Sequence, residues 1–182
     1  SKTVLTAPNL KRLSAFLIDY VIVYLILATV ISVSRSAMDL ENASTGLQAL
    51  VYLALVIISL IYFVIVPIYV FRGDRVGQTI GKKLMGLKTI RVDGTEITIL
   101  TLLIRTLFML VGEGMVMIST LYVLEIGALL GLPVVFIGYI STAYIMVTLV
   151  SCSLMIIRPN RQMFHDYIAN TVVILYDQKV QL

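Results

Sequence analysis

Residues 10–34 read LKRLSAFLIDYVIVYLILATVISVS, an apolar run that carries a cation, Arg12, near its start and an acid, Asp19, seven residues further in. Seven residues is close to two helical turns, which puts both side chains on one face with Ala15 between them. The run exceeds the roughly 20 helical residues that cross a bilayer core. No small-residue cleavage site comes after it, so it reads as a retained span rather than a leader. Asp19 is then its costly feature. A carboxylate near the middle of a span is disfavoured by roughly 2.5–3.5 kcal/mol on insertion scales, and the rest of the chain must supply what offsets it.

The rest of the chain has the same apolar character. Its 182 residues are 59% hydrophobic, with a mean hydropathy of +1.01, whereas a soluble domain is about 45–50% apolar. A single transmembrane domain over residues 1–182 is expected, with little room for a separate soluble one. Cys152 is the only cysteine and His165 the only histidine. That excludes an internal disulfide, a cysteine cluster and a multi-histidine zinc site. No nucleophile–base pair stands at motif spacing, so neither an enzyme, a metal nor a cofactor is expected.

A second apolar run covers 46–71, and a third extends from 97 to 157. The third is too long for one crossing. Gly127, Gly131 and Pro133 in EIGALLGLP, residues 125–133, mark the break. The expected spans are 10–34, 46–71, 98–120 and 133–157, with a loop at 72–97 and a tail at 158–182. Lys2, Lys11 and Arg12 lie at or before the start of the first span. Arg72, Arg75, Lys82, Lys83, Lys88 and Arg91 fill the long loop, and Arg158, Arg161 and Lys179 lie in the tail. The excess of cations there puts the N-terminus, this loop and the C-terminus in the cytoplasm of a cell whose plasma (inner) membrane holds the chain. Both ends on one side require an even number of crossings. The expected fold is all-α and transmembrane, a four-helix membrane bundle. The cations sit at span ends, so the net charge of +4 reports topology and not nucleic-acid binding.

The cytoplasmic segments carry a pattern of their own. GLKTIRVDGTEIT, residues 86–98, alternates around Asp93-Gly94, a strong hairpin signature. Strands at 87–92 and 95–98 are expected, with the β-branched TVVILYD of 171–177 as a third. The bundle thus carries a small cytoplasmic β-hairpin or three-stranded element. Before it, VGQTIGKKLMG at 76–86 reads as a short amphipathic helix on the membrane surface. Ile80, Leu84 and Met85 fall on one side, and Lys82 and Lys83 on the other, where with Lys88 they favour anionic lipid headgroups. The stretch superficially matches a phosphate loop but fails. Its spacing is one residue short, Lys83 stands where Ser or Thr holds magnesium, and no strand precedes it.

Depth assigns partners to the buried charges. At 1.5 Å per residue Asp19 lies about 13 Å and Arg105 about 12 Å from the cytoplasmic ends of their spans. An ion pair between them, or a shared polar cavity, is expected. Two readings of that pair stand open: an inert bridge that fixes helix register, and a proton or small-cation site on Asp19 worked against Arg105. Glu113, between Gly112 and Gly114, lies toward the outer side, either at a helix break on the same pathway or solvated in the interface. Arg12 is near enough to the surface to reach a carboxylate of the tail. His165-Asp166 marks a cytoplasmic polar cluster, read as a hydrogen-bonded pin for the tail or, alternatively, as a pH-sensitive latch.

Arg12-Leu-Ser-Ala15-Phe-Leu-Ile-Asp19, Gly77-Gln-Thr-Ile-Gly81-Lys82, Gly86-Leu-Lys88, Asp93-Gly94, Arg105, His165-Asp166 and Thr171-Val-Val together resemble the RDD family of small membrane proteins. That family takes its name from an Arg at the start of its first helix and two Asp residues, matched here by Arg12, Asp19 and Asp166. Residues 107–157 carry no such motif. The resemblance implies a polytopic membrane protein. Transport, including sodium–proton exchange, has been proposed for some members, and others look like accessory subunits. Two functions are therefore expected as alternatives. One is exchange of protons against a small cation such as sodium through Asp19, Arg105 and Glu113, with a homo-oligomer to complete a pathway. The other is a non-transporting accessory that binds lipid or protein through its basic face.

Overall fold

The computed structural model describes residues 6–40, 42–111 and 127–176. It is mostly helical, about 70%, with a small two-stranded sheet. Helix α1 runs from Asn9 to Met38. It starts after Pro8 and stops at Asp39, whose left-handed backbone (φ 45°) ends the hydrogen-bond ladder. The Ser44 hydroxyl accepts from the Leu47 amide and caps α2, Thr45–Leu60. From Ile61 to Val70 the same rod continues as a wider π-helix that contains Pro67. Proline has no N–H to donate, and π-type pairing is one way a helix absorbs such a defect. Then come α3 (Ile80–Leu84), strand β1 (Leu87–Arg91), α4 (Ile99–Val111), α5 (Val134–Ile157, after Pro133), α6 (Phe164–Ile168) and strand β2 (Thr171–Leu175).

Three of these helices, Asn9–Met38, Thr45–Val70 and Val134–Ile157, are long and apolar enough to cross a membrane, and Ile99–Leu110 is a shorter apolar one. Leu13, Leu25, Leu50, Ile61, Leu100 and Val135 stand exposed on them, as lipid-facing residues do. The inner faces meet in a cluster of Val23, Leu27, Leu55, Tyr62, Phe63 and Met109, which joins α1, α2, the π-helix and α4.

The sheet departs from the expected hairpin. Strand β1 pairs antiparallel with β2 from the tail, in the register Leu87↔Leu175 to Arg91↔Thr171. Residues 95–98 form no strand. Asp93 binds both the amide and the hydroxyl of Thr95, and the turn closes with the Arg91 amide on the Thr95 carbonyl at 3.4 Å, but no ladder continues beyond it. Strand β2 is also met by the N-terminal segment, where Thr6 bridges Ile174 and the Ala7 amide donates to the Val173 carbonyl at 2.9 Å. Leu87 and Val173 then pack with Ala7 and Ala15 against the start of α1. The sheet closes the end of the bundle where α1 begins.

Candidate functional site

Three segments converge on the start of α1. The first is the turn Gly77-Gln-Thr-Ile-Gly81. Gln78 is buried and its amide donates to the Leu87 carbonyl, while the Thr89 amide donates to the Gly77 carbonyl at 3.1 Å, so the turn is fastened to β1. Gly77 has φ +90°, and a Cβ there would run into the Thr89 carbonyl oxygen. The Thr79 hydroxyl then starts α3 by accepting from the Lys82 amide.

Asp19, the second, meets the start of α3 and is 3% exposed. Its carboxylate accepts from the Gly81 amide at 2.8 Å, from the Tyr62 hydroxyl at 2.6 Å and from the Thr79 hydroxyl. The first amides of a helix have no partner inside it, and a carboxylate placed there satisfies them and opposes the helix dipole. Asp19 thus caps α3 from another element, which offsets the cost of an acid in the first span. A Cβ on Gly81 would overlap the Ala15 carbonyl oxygen and lie 2.9 Å from Asp19 Cγ, so only glycine lets α3 seat against α1.

Asp166 organises the third. It lies on α6 with no exposed surface. Arg12 Nη2 donates to its Oδ2 at 2.6 Å and Arg105 Nε to its Oδ1 at 2.9 Å. The Thr171 hydroxyl at 3.2 Å and the Met163 amide at 3.4 Å complete its shell. Arg12 also donates to the Arg161 carbonyl. Burial pushes the Asp166 carboxyl upward, but the charges of Arg105, His165 and Arg12 outweigh it and hold the group well below the ordinary carboxylate range. His165 Nε2 is 3.0 Å from Arg105 Nη2.

Of the two arrangements expected for Asp19 and Arg105, the shared cavity is found and the ion pair is not. Both residues line one cavity of about 120 Å³, yet Arg105 turns its guanidinium to Asp166 and Asp19 turns to α3. Depth along the helices overlooks two things. A long arginine can bend back toward the membrane surface, and a tail residue, Asp166, comes up to meet it. Asp19, expected on an ion pathway, has its acceptors engaged by neighbouring donors. Glu113 lies outside the described residues.

The basic residues of the long loop also divide. Lys83 is exposed, 5.2 Å from the centre of the Phe71 ring, and Lys88 donates to the Asp74 carbonyl at 2.9 Å. Lys82, expected to face lipid, is half-buried and lines the interior cavity. Helix α3 sets its smooth side, with Gly81 buried, against α1, while Ile80 and Leu84 are exposed, as expected of an apolar outer face. Burial brings Lys82 down to about 7, helped by the like charge of Arg105. The unfolded chain holds that proton up to about pH 10.4 and the folded chain releases it near pH 7. Stability should therefore rise between these values. In Lys82→Met we expect thermal unfolding in detergent to lose that rise, with higher stability than wild type at pH 6.5 by up to about 3 kcal/mol.

Apolar helices of spanning length, closed at one end by a sheet and a buried charge cluster, define an integral membrane protein. Residues 6–170 match the RDD family, and the chain belongs to it. No curated protein and no solved structure matches the chain. Arg12, Asp19, Arg105, His165 and Asp166 are all marked in the sequence. Of the partners of Asp19, Thr79 and Gly81 lie in the quoted Gly77–Lys82 stretch without that role being legible, and Tyr62 lies outside the quoted motifs. The repeated glycines of Gly77-Gln-Thr-Ile-Gly81 are the available sign, since each marks a close backbone approach.

Proposed function

We propose that this chain is a non-transporting membrane protein that binds anionic lipid headgroups through one basic end of its bundle. The observation that carries this reading is the saturation of both interior acids. An exchanger needs a carboxylate that releases its partners to take up a cation. Asp19 would have to undock α3 to do so, and Asp166 would have to abandon two guanidiniums. The cations outside the cluster point away from it. Lys11, Arg72, Arg75 and Lys83 are exposed, and they belong to the start of α1 and the 72–86 segment packed against it. Each such residue near an anionic leaflet contributes about 1 kcal/mol of attraction. By the positive-inside rule this end faces the cytoplasm of a plasma membrane.

Two measurements test the reading. In nanodiscs of mixed phosphatidylglycerol and phosphatidylcholine, the shell retained by the protein should be enriched in phosphatidylglycerol. The enrichment should fall in high salt and in the combined Arg72→Gln, Arg75→Gln, Lys83→Gln variant. Vesicles with an imposed sodium gradient should show no proton flux above empty vesicles. Sodium-driven flux from folded wild-type protein would overturn the proposal in favour of exchange, and a shell of bulk composition would remove its lipid half.

A further inference from the structure

The interior cavity combines an apolar wall with a cation that, among the described residues, has no hydrogen-bond acceptor. Phe16, Phe63, Met109, Cys152 and Met155 line it beside Lys82. Arg12 and Arg105 also face it, but both are committed to Asp166. Asp19 is committed to Tyr62, Thr79 and Gly81, and His165 Nε2 to Arg105. The charged side chains around the cavity are Arg12, Arg105 and protonated Lys82 against Asp19 and Asp166, which leaves one positive charge over. Leu13 forms part of the wall and is itself 49% exposed.

We propose that this cavity binds the anionic head of a single-chain amphiphile, with the Lys82 ammonium as its ionic contact and the apolar wall around the first carbons of the chain. A single negative charge balances the site. A monoanionic carboxylate or phosphate head fits it, and a hydrated inorganic anion gains nothing from the phenylalanine and methionine wall. Buried charge-assisted bonds of this kind are strong because the competing water has been excluded. The proposal is independent of the surface reading, since Lys83 and the loop arginines take no part in it.

Cys152 lines the cavity and is the only cysteine, so its alkylation reports occupancy. The experiment uses the full chain in nanodiscs of phosphatidylcholine, with maleimide alkylation rates taken relative to the ligand-free rate at the same pH. At pH 6.5, decanoate should slow alkylation about tenfold, whereas decanol and acetate should change it less than about twofold. Lys82→Gln should abolish the decanoate effect, Lys82→Arg should retain it, and Lys83→Gln should leave it unchanged. Raising the pH to 9 should weaken it, because the empty site gives up the Lys82 proton near pH 7. If Lys82→Gln does not fold, the decanol, acetate and pH comparisons on wild type decide alone. Equal protection by decanol and decanoate, protection that survives Lys82→Gln, or equal protection by acetate would each overturn the proposal. None of these outcomes bears on phosphatidylglycerol enrichment at the surface.

Discussion

Asp166→Asn is expected to be the most damaging single substitution in this chain, with a loss of roughly 3–5 kcal/mol, the range for removing one partner of a buried ion pair. Two guanidiniums meet on this carboxylate, Arg12 at 2.6 Å and Arg105 at 2.9 Å, and among the described residues neither is paired with a second carboxylate. The amide of asparagine keeps the shape but removes the charge, and one of its ends presents a donor where a guanidinium already donates. Both arginines are left buried and uncompensated, at 8% and 7% exposure. Removing an arginine as well should reverse part of the damage, because an apolar replacement of a buried charge set is often near neutral. Thermal unfolding in detergent should therefore place Asp166→Asn below the double variant Asp166→Asn, Arg12→Met. The pH dependence distinguishes this group from Lys82. Its folded value lies below the unfolded one, so its contribution is complete above about pH 4 and fades only as pH falls further. A scan between pH 6 and 10 should report Lys82 and leave Asp166 silent.

Legibility in the sequence divides along the line between local and distant interactions. The apolar runs declare themselves by length, and α1, the α2 rod and α5 match the expected spans to within a few residues at each end because a spanning helix satisfies its own backbone. Arg12 with Asp166 is legible because the charge bias places the tail near the start of α1, and the tail holds a histidine–aspartate pair at which a shallow arginine can arrive. Asp19 with Arg105 is not, because helical rise locates a Cα and not the end of a side chain. Arginine's length spans about one helical turn, enough to decide between the interior and the interface. The hairpin fails for another reason: Asp93-Gly94 specifies a turn but not the path of the chain beyond it. The Arg91 amide does meet the Thr95 carbonyl, but further along that edge of β1 the Thr89 amide and the Leu87 carbonyl are taken by Gly77 and Gln78, while β2 pairs along the opposite edge. The cap that Asp19 places on α3 leaves almost no trace. Its donor is a backbone amide, which nearly every residue carries, and only the glycine that exposes it leaves a mark in the sequence.

That glycine gives the second large effect. Gly81→Ala should cost about 3 kcal/mol, through steric conflict and weakened charge-assisted hydrogen bonds. The added methyl meets the Ala15 carbonyl oxygen, a backbone atom inside a helix that cannot turn aside, and sits 2.9 Å from Asp19 Cγ and Oδ1. Helix α3 must lift from α1, and as it lifts, the Gly81 amide and the Thr79 hydroxyl both withdraw from Asp19. Asp19 is then left in the first span with Tyr62 alone, and the original cost of the buried acid returns. The damage should be local before it is global. Trypsin should cut after Lys82 and Lys83 faster than in wild type, at temperatures where the spans remain folded. Gly46→Ala is the matched control: it lies in α2 with nothing within 4 Å of the new methyl, so it should leave cleavage unchanged and raise stability slightly through helix propensity. If Gly81→Ala unfolds and is cleaved like wild type, α3 does not depend on this contact, and Asp19 must be stabilised in some other way.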